Sequence, residues 1–522
     1  MTAGPQDEVM AFLARPATHG IGGSVERIDT HISAVFLAGD RVVKLKKAVK
    51  YPYLDYSTVA LRRRYCEAEV RVNRRTAPAL YLGAAAISRA RDGSLALGAP
   101  DATPTGEAVD WVVVMRRFEA SALFDRMTRE GRLTPALVRD LADEIARFHE
   151  AAERDPGFGG ADAMARSLAN MVGEVAKFAP DLFDRAKAER FAAETGAALE
   201  RHRASLDARR AQGYVRHGHG DLHLRNICLF EGRPTLFDAI EFDDVLACID
   251  VLYDLAFLLM DLEHRGRRDL ANLVLNRTLA WRDDHAGLAL LPLYLAMRAG
   301  IRAHVTASSV AALGSEDAKA SARAEARAYL DLALGFLAPA KPVLVAVGGL
   351  SGSGKSTVAA ALAPTLGAAP GAVVVRSDVI RKRLLGRAPE DRLGPDAYTA
   401  EVTRRVYEAV RAQAGAAVAA GCAAIADAVH ARPEERRAIE AVAVESGVRF
   451  AGLWLEAAPE TLASRIGRRE NDASDATASV MRAQFGTDTG PIAWRRIDSS
   501  GDLAETLTRA RNALNGHDET TT

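Results

Sequence analysis

Apolar positions along the chain change their period twice. Between residues about 25 and 115 they tend to alternate. In "AVFLAGDRVVKLKK", Ala34–Lys47, two such runs flank Gly39-Asp40, which predicts a β-hairpin. "AVDWVVVMRRF", Ala108–Phe118, predicts a further strand, and "STVALRRRYCEAEVRVNRR", Ser57–Arg75, predicts a helix between them. From about 120 to 335 helical patterns dominate, ending in the stretch Glu316–Leu334. "GFLAPAKP", Gly335–Pro342, then breaks the pattern with two prolines. Beyond it short apolar runs (Val343–Val347, Ala372–Val375, Ala423–Ala426, Phe450–Leu455) alternate with helical stretches such as Glu401–Ala420, which predicts a parallel α/β sheet. The fold class expected is therefore mixed, α+β followed by α/β. A bilobal first domain spans 1–335, with a small β-rich lobe at about 25–118 and a large helical lobe at about 119–335. A linker covers 336–342, a second domain 343–513, and a disordered tail 514–522.

Length supports this division, because 522 residues exceed what one ordinary core holds. Charge removes some functions. Lys plus Arg and Asp plus Glu are both 68, a balance that argues against a general binder of nucleic acid or membrane surfaces. Cys66, Cys228, Cys248 and Cys422 form no C-x-x-C pair and read as reduced, buried thiols. The start "MTAGPQDEVMAFLARP" lacks a basic region followed by a long apolar one, and no uncharged apolar run reaches the ~18 residues of a membrane span. A cytoplasmic protein with no membrane partner is the expectation.

"GGLSGSGKST" fits G-x-x-x-x-G-K-[ST] from Gly349 to Ser356, between an apolar strand and an Ala-rich helix. Backbone N–H groups along Gly349, Ser351, Gly352, Ser353, Gly354 and Thr357 suit phosphate oxygens. Lys355 suits the β- and γ-phosphates of ATP, and the Ser356 hydroxyl suits Mg2+. "VVVRSDVIRKRL" ends a strand with Asp378, placed to take a proton from a substrate hydroxyl, and Arg381, placed for an anionic group. A helix cap with a solvated basic face explains the same spacing. "AAIADAVH" ends another strand with Asp427, a candidate ligand of magnesium-bound water, and "RIGRRENDASDA" carries Arg465, Arg468 and Arg469. Together these pieces resemble the small P-loop kinases of metabolites, the gluconate-kinase and zeta-toxin-like group, over about Lys341 to Ala513. The resemblance implies that Asp378 lies by the substrate and that Arg465, Arg468 or Arg469, with Arg468 preferred, belongs to a lid.

"HGDLHLRN" places His219, Asp221 and Asn226 in one loop, and "PTLFDAIEF" then ends a short strand on Asp238. This is the logic of phosphoryl transfer: Asp221 meets the incoming hydroxyl as base, and Asn226 with Asp238 holds Mg2+. His217, His219 and His223 lack a further ligand nearby and read as loop-fixing groups. The region from about Val25 to Leu334 resembles the aminoglycoside phosphotransferase and choline-kinase group, whose fold is like that of protein kinases. "DVLYDLAFLL" then implies that Asp254 braces the catalytic loop. "DRVVKLKK" implies a phosphate-binding lysine, Lys44 with Lys46 as competitor, and "CEAEVRVNRR" its glutamate partner, Glu69 with Glu67 second. "VVVMRRF" implies an adenine-binding hinge around Met115. Two features depart from protein kinases: no G-x-G-x-x-G precedes Lys44, and Asp238-Ala239-Ile240 stands where Asp-Phe-Gly would. Both argue against a protein substrate. The whole chain resembles the bacterial bifunctional proteins that join an aminoglycoside-phosphotransferase-like domain to an AAA-type P-loop ATP-binding domain.

The resemblance implies an ATP- and Mg2+-dependent kinase whose partner is a small-molecule hydroxyl acceptor such as a sugar, amino sugar or aminoglycoside, with a second ATP site of similar chemistry. Two other classes compete: a P-loop domain that only senses nucleotide, and a factor that modifies RNA or protein through its basic helix. Asp238 to Glu263 holds eight acidic residues and no Lys or Arg, which suits a solvated helix face with Mg2+ electrostatics ahead of a cationic acceptor.

Overall fold

The computed structural model describes residues 6–51, 54–467 and 488–516, and its packing divides the chain into two units. One comprises Met1–Arg166 with Arg203–Leu258, the other Ser167–His202 with Leu259–Thr522.

The first unit is built on an antiparallel sheet. Its strands are β1 (Glu26–Asp29), β2 (Ser33–Ala38), β3 (Arg41–Lys46), β4 (Tyr81–Arg89), β5 (Leu95–Leu97) and β6 (Glu107–Arg116), in the order β1-β2-β3-β6-β4-β5. Gly39, at φ +59°, turns the β2–β3 hairpin, a backbone region glycine enters at little cost. Strand alternation then decides which helix meets which side chain. Trp111, Val113 and Met115 of β6 pack with Cys66 and Val70 of α2 (Val59–Asn73), whereas Val112 and Val114 pack with Val9 and Leu13 of α1 (Asp7–Leu13). On β3, Val43 and Leu45 join the α1 side. Lys44 and Lys46 therefore point to the α2 side. The Thr58 hydroxyl, accepting the Leu61 N–H at 3.2 Å, caps the start of α2.

Two short antiparallel pairs follow in the same unit: β7 (Val215–His217) with β10 (Cys248–Asp250), and β8 (Ile227–Phe230) with β9 (Arg233–Leu236). The loops leaving β7 and β9 carry the candidate chemistry. Helices α3 (Pro135–Ala151) and α4 (Val251–His264) supply residues that brace them.

The second unit holds a parallel sheet of β11 (Val343–Gly348), β12 (Val373–Arg376), β13 (Ala424–Asp427), β14 (Arg449–Glu456) and β15 (Arg495–Asp498), ordered β12-β13-β11-β14-β15. Every residue of β11 is buried, as a strand covered on both faces requires. The first four strands lie within about two residues of the sequence expectation. The fifth, "RRID", escapes it because this edge strand buries only Ile497. The last described helix, Leu503–Asn515, buries Leu514, so residue 514, expected in the tail, belongs to it, and residues 517–522 lie outside the described residues.

Strand β12 is an edge, and α5 (Arg268–Trp281) covers it with side-chain amides. Asn272 and Asn276 donate to the Ala372 carbonyl at 3.0 and 3.1 Å, and Asn276 Oδ1 accepts from the Val374 N–H at 2.7 Å. These bonds occupy backbone groups an open edge would offer to another chain. Among the described residues one helical stretch, His285–Ala312, is long and apolar enough to cross a membrane, and 72% of its most apolar window is buried inside the fold.

Candidate functional site

The first candidate centre lies between the sheet and the loops after β7 and β9. Lys44 Nζ lies 2.9 Å from Glu69 Oε1 and 2.7 Å from Asp238 Oδ1. Lys46, two residues on along the same face, lies 2.6 Å from Glu69 Oε2 and 2.5 Å from Glu241 Oε1. Glu69 thus divides its two oxygens between both lysines. Glu67 instead faces outward to Arg63 at 2.8 Å. Burial alone would push the Lys44 ammonium down, but the Asp238 and Glu69 carboxylates hold it well above the ordinary lysine range. Burial would likewise push the Glu69 carboxyl up, yet Lys44 and Lys46 hold it at about 2, against an ordinary 4.5.

That depression fixes the sign of a pH dependence. The folded carboxyl binds its proton more weakly than the unfolded one, so its contribution is full above about pH 4.5 and is lost as pH falls toward 2. The contribution is on the order of 3 kcal/mol. In Glu69→Gln each lysine keeps another carboxylate. Urea unfolding of the first unit, followed between pH 6 and pH 3, is expected to show a shallower acid decline in Glu69→Gln than in the wild type.

Asp254, fully buried on α4, organises the loop after β7. Its Oδ2 accepts from the His219 N–H at 2.8 Å and contacts His149 Nε2 at 3.0 Å, while Oδ1 accepts from the Gly220 N–H at 3.0 Å. The His219 ring is tied to the Phe237 carbonyl at 2.9 Å, which joins this loop to the segment bearing Asp238. Burial lowers the His219 pKa, offset in part by Asp254 and Asp221, and favours the neutral ring. His223 packs edge-on against Phe257 and stands 3.3 Å from Asp221 Oδ2.

Asp221 and Asn226 meet directly. The Asn226 amide nitrogen donates to the Asp221 carbonyl at 2.9 Å and to Asp221 Oδ2 at 2.8 Å, leaving Asn226 Oδ1 as its acceptor. The Asp238 side chain is 44% exposed. An amide oxygen and an open carboxylate are hard oxygen donors, the chemistry that magnesium takes. Asp238 itself sits at φ +60°, which non-glycine residues rarely hold. Its N–H donates to the Tyr81 hydroxyl at 3.1 Å, and the next N–H, of Ala239, donates to Asn73 Oδ1 at 2.8 Å. Met115 lies within the ladder between Val42 and Tyr81, with its side chain in the core beside α2.

The second candidate centre is the loop from β11 into α6 (Lys355–Leu362). Gly349 at φ +135° passes so close to the Leu455 carbonyl that a Cβ there would lie 2.4 Å from its oxygen, and Gly352 at φ +91° would meet Leu462 O at 2.7 Å. Ser351 and Ser353 are buried within the loop, and Gly354, at φ +85°, precedes the first turn of α6 with Ser356 and Thr357. Lys355 Nζ donates to Leu350 O at 3.0 Å. Asp427, the buried last residue of β13, has its pKa raised, chiefly by burial, against the opposing pull of Arg376, Lys355 and a Ser356 hydrogen bond. Asp378, in the first turn of α7 (Ser377–Leu384), is close enough to reinforce the rise. The strand ends thus bring Lys355, Ser356, Asp378 and Asp427 to one place.

Arg376 was given no role by its spacing, yet it faces Asp427 across the β12–β13 register at 3.6 Å. The signal was available, since both residues end apolar strands. Arg381 is turned away from the role of anion holder: it is buried, donates to Ala397 O at 2.8 Å and lies over the Tyr398 ring. Arg465 donates to Gly501 O at 3.0 Å and brings Nη1 within 3.8 Å of where a Gly354 Cβ would stand. Arg468 and Arg469 lie outside the described residues. Sequence reasoning also passed over Glu241 and Tyr56, which share the buried surroundings of Lys46.

Comparison with known proteins agrees with two kinds of chemistry. A phosphotransferase enzyme family model matches residues 63–291, and an AAA domain model matches 344–487. Uncharacterized proteins of Mycobacterium tuberculosis and Mycobacterium bovis are 30% identical over 493 residues, covering 92% of this chain and 94% of theirs. Among solved structures, a choline/ethanolamine kinase family protein from Mesorhizobium loti is similar at 16% identity and TM-score 0.37, covering 64% of this chain and 99% of that one. A gluconokinase from Sinorhizobium meliloti is similar at 21% identity and TM-score 0.25, covering 34% of this chain and 98% of that one.

Proposed function

The chain belongs to the family of these mycobacterial proteins, which joins a kinase-type phosphotransferase domain to an AAA-type P-loop domain, and from that premise we propose that its first domain moves the γ-phosphoryl of ATP to a hydroxyl of a small molecule. The observation that carries this is the meeting of two pairs, Asp221 bonded to Asn226 and Asp238 paired with Lys44, on segments tied together by the Phe237 N–H donating to the Asn226 carbonyl at 3.0 Å. In this reading Asp221 receives the proton of the acceptor hydroxyl, and the Asn226 amide holds its carboxylate in place. Lys44, positioned by Glu69, meets the phosphates. Asn226 Oδ1 and Asp238 would hold Mg2+, which when bound supplies positive charge to the transferring phosphoryl. The adenine would rest near the end of β6, around Met115.

The second domain is read as a second phosphotransferase site. In this reading Lys355 and the loop N–H groups bind phosphate, Ser356 and Asp427 would hold Mg2+, and Asp378 receives the acceptor proton. Arg468, preferred over Arg465 and Arg469, covers the transferring group. The domain limits proposed are 1–335 and 343–513.

The test is a panel of sugars, amino sugars and aminoglycosides incubated with γ-labelled ATP and Mg2+. Labelled product is expected with the wild type and with Lys355→Ala for the first-site acceptor, and none with Asp221→Ala. Label retained in Asp221→Ala but lost in Lys355→Ala would assign that product to the P-loop domain. No labelled product from any acceptor would overturn the small-molecule reading.

A further inference from the structure

We infer that Lys46, Glu241 and Tyr56 form a positioning group for the first site, one that fixes the Asp238 turn to strand β3 independently of the contact between Asp238 and Lys44. The inference rests on the first-domain reading above and deepens it.

The observation is a closed circuit. Asp238 pairs with Lys44, Lys44 with Glu69, Glu69 with Lys46 and Lys46 with Glu241. Glu241 returns through the backbone to Asp238. The Tyr56 hydroxyl donates to the same Glu241 Oε1 at 2.9 Å, and Lys46 Nζ lies 4.9 Å from the centroid of the Tyr56 ring. Lys46, Glu69 and Tyr56 are at most 1% exposed, and the Glu241 side chain is 7% exposed. The circuit contains two ammonium groups and three carboxylates. The surplus negative charge falls where the circuit is open to solvent, at Asp238.

A buried ion pair gives little stability over apolar residues of the same shape, so stability alone is a weak reason for this one. Its location gives a better reason. Asp238 is held at φ +60°, and such a conformation persists only where its surroundings over-determine it. Tyr81 and Asn73 hold the N–H groups of Asp238 and Ala239, and the His219 carbonyl accepts from the Ile240 N–H at 3.0 Å. Glu241 is the last anchor of the turn and, among the described residues, ties it to the strand that carries Lys44 by a second ion pair beside that of Asp238. If Asp238 turns from Lys44 to a metal ion, the bond between them opens. The path Glu241–Lys46–Glu69–Lys44 still sets the distance between the metal-side turn and the phosphate-side lysine.

The test measures the Mg2+ dependence of nucleotide binding by calorimetry with a nonhydrolysable ATP analogue, in a Lys355→Ala background that silences the P-loop site. Lys46→Met and Glu241→Gln alone each leave a buried charge with fewer partners and are expected to lower the unfolding temperature. The double variant removes both charges and is expected to recover most of it. Its Mg2+ half-saturation is nevertheless expected to rise about tenfold, the usual cost of losing an outer-sphere support, with little change in analogue binding without Mg2+. Tyr56→Phe keeps both charges and removes the hydroxyl that donates to Glu241 and accepts from Lys46 Nζ at 3.3 Å; it is expected to raise the same value between about two- and tenfold. Unchanged Mg2+ dependence in Tyr56→Phe, or in a folded double variant, would overturn the inference and leave the first-site reading standing. A Lys355→Ala protein that binds no analogue would overturn that reading, and the inference with it.

Discussion

Asp221→Asn is expected to lower kcat for the first-site reaction by about 10²- to 10⁴-fold, the usual contribution of a positioned general base. The variant keeps an oxygen at the position that accepts from the Asn226 amide, so the geometry of the loop is preserved. What it loses is the capacity to take a proton. The side chain is 38% exposed and is not part of the core, so thermal unfolding should scarcely move. The KM for ATP should also change little, because Lys44, Glu69 and Asp238 retain their contacts. Steady-state kinetics on the acceptor found by the panel, with unfolding measured alongside, checks each part. A drop in kcat with unchanged KM places the loss in the transition state rather than in nucleotide binding. If activity persisted at the wild-type level, another group would have to receive the proton.

The segments of the candidate site were legible in the sequence, and the reason is physical. Asp221, Asn226 and Asp238, the base, amide and carboxylate of the proposed transfer, fall within eighteen residues of one another, so their grouping is a local pattern. The P-loop likewise is one continuous segment whose glycines are demanded by close approach, as at Gly349. Contacts between distant segments were less legible. Sequence offered Lys44 or Lys46 as alternatives, because on a strand both point the same way. The fold makes them partners sharing Glu69, a relation that depends on where α2 packs. Glu241 is 195 residues from Lys46, and no local pattern ties them. The amide caps on β12 were hidden for the same reason, since Asn272 and Asn276 read simply as polar helix positions. Arg381 shows the opposite error: a strand-end location suggested a ligand contact, whereas its guanidinium serves the carbonyl of Ala397.

Lys355→Ala is expected to abolish turnover at the second site, by at least about 10²-fold, while first-site turnover continues. Lys355 now donates to the Leu350 carbonyl within its own loop, and the glycines at 349 and 352 set the path of that loop through their backbone. Losing the ammonium therefore removes charge from the phosphate site without removing what shapes it, and stability should hold. The result separates two readings of the P-loop domain. If it is a second enzyme, a distinct labelled product disappears in Lys355→Ala and persists in Asp221→Asn. If it only senses nucleotide, no product is lost, and the ATP dependence of the first-site rate differs instead between the wild type and Lys355→Ala. Asp427 gives an independent arm. Its carboxyl is buried beside Ser356 and Lys355, so Asp427→Asn keeps the shape and removes the charge. A second enzyme would then show a raised Mg2+ requirement for its own product and no change in that of the first.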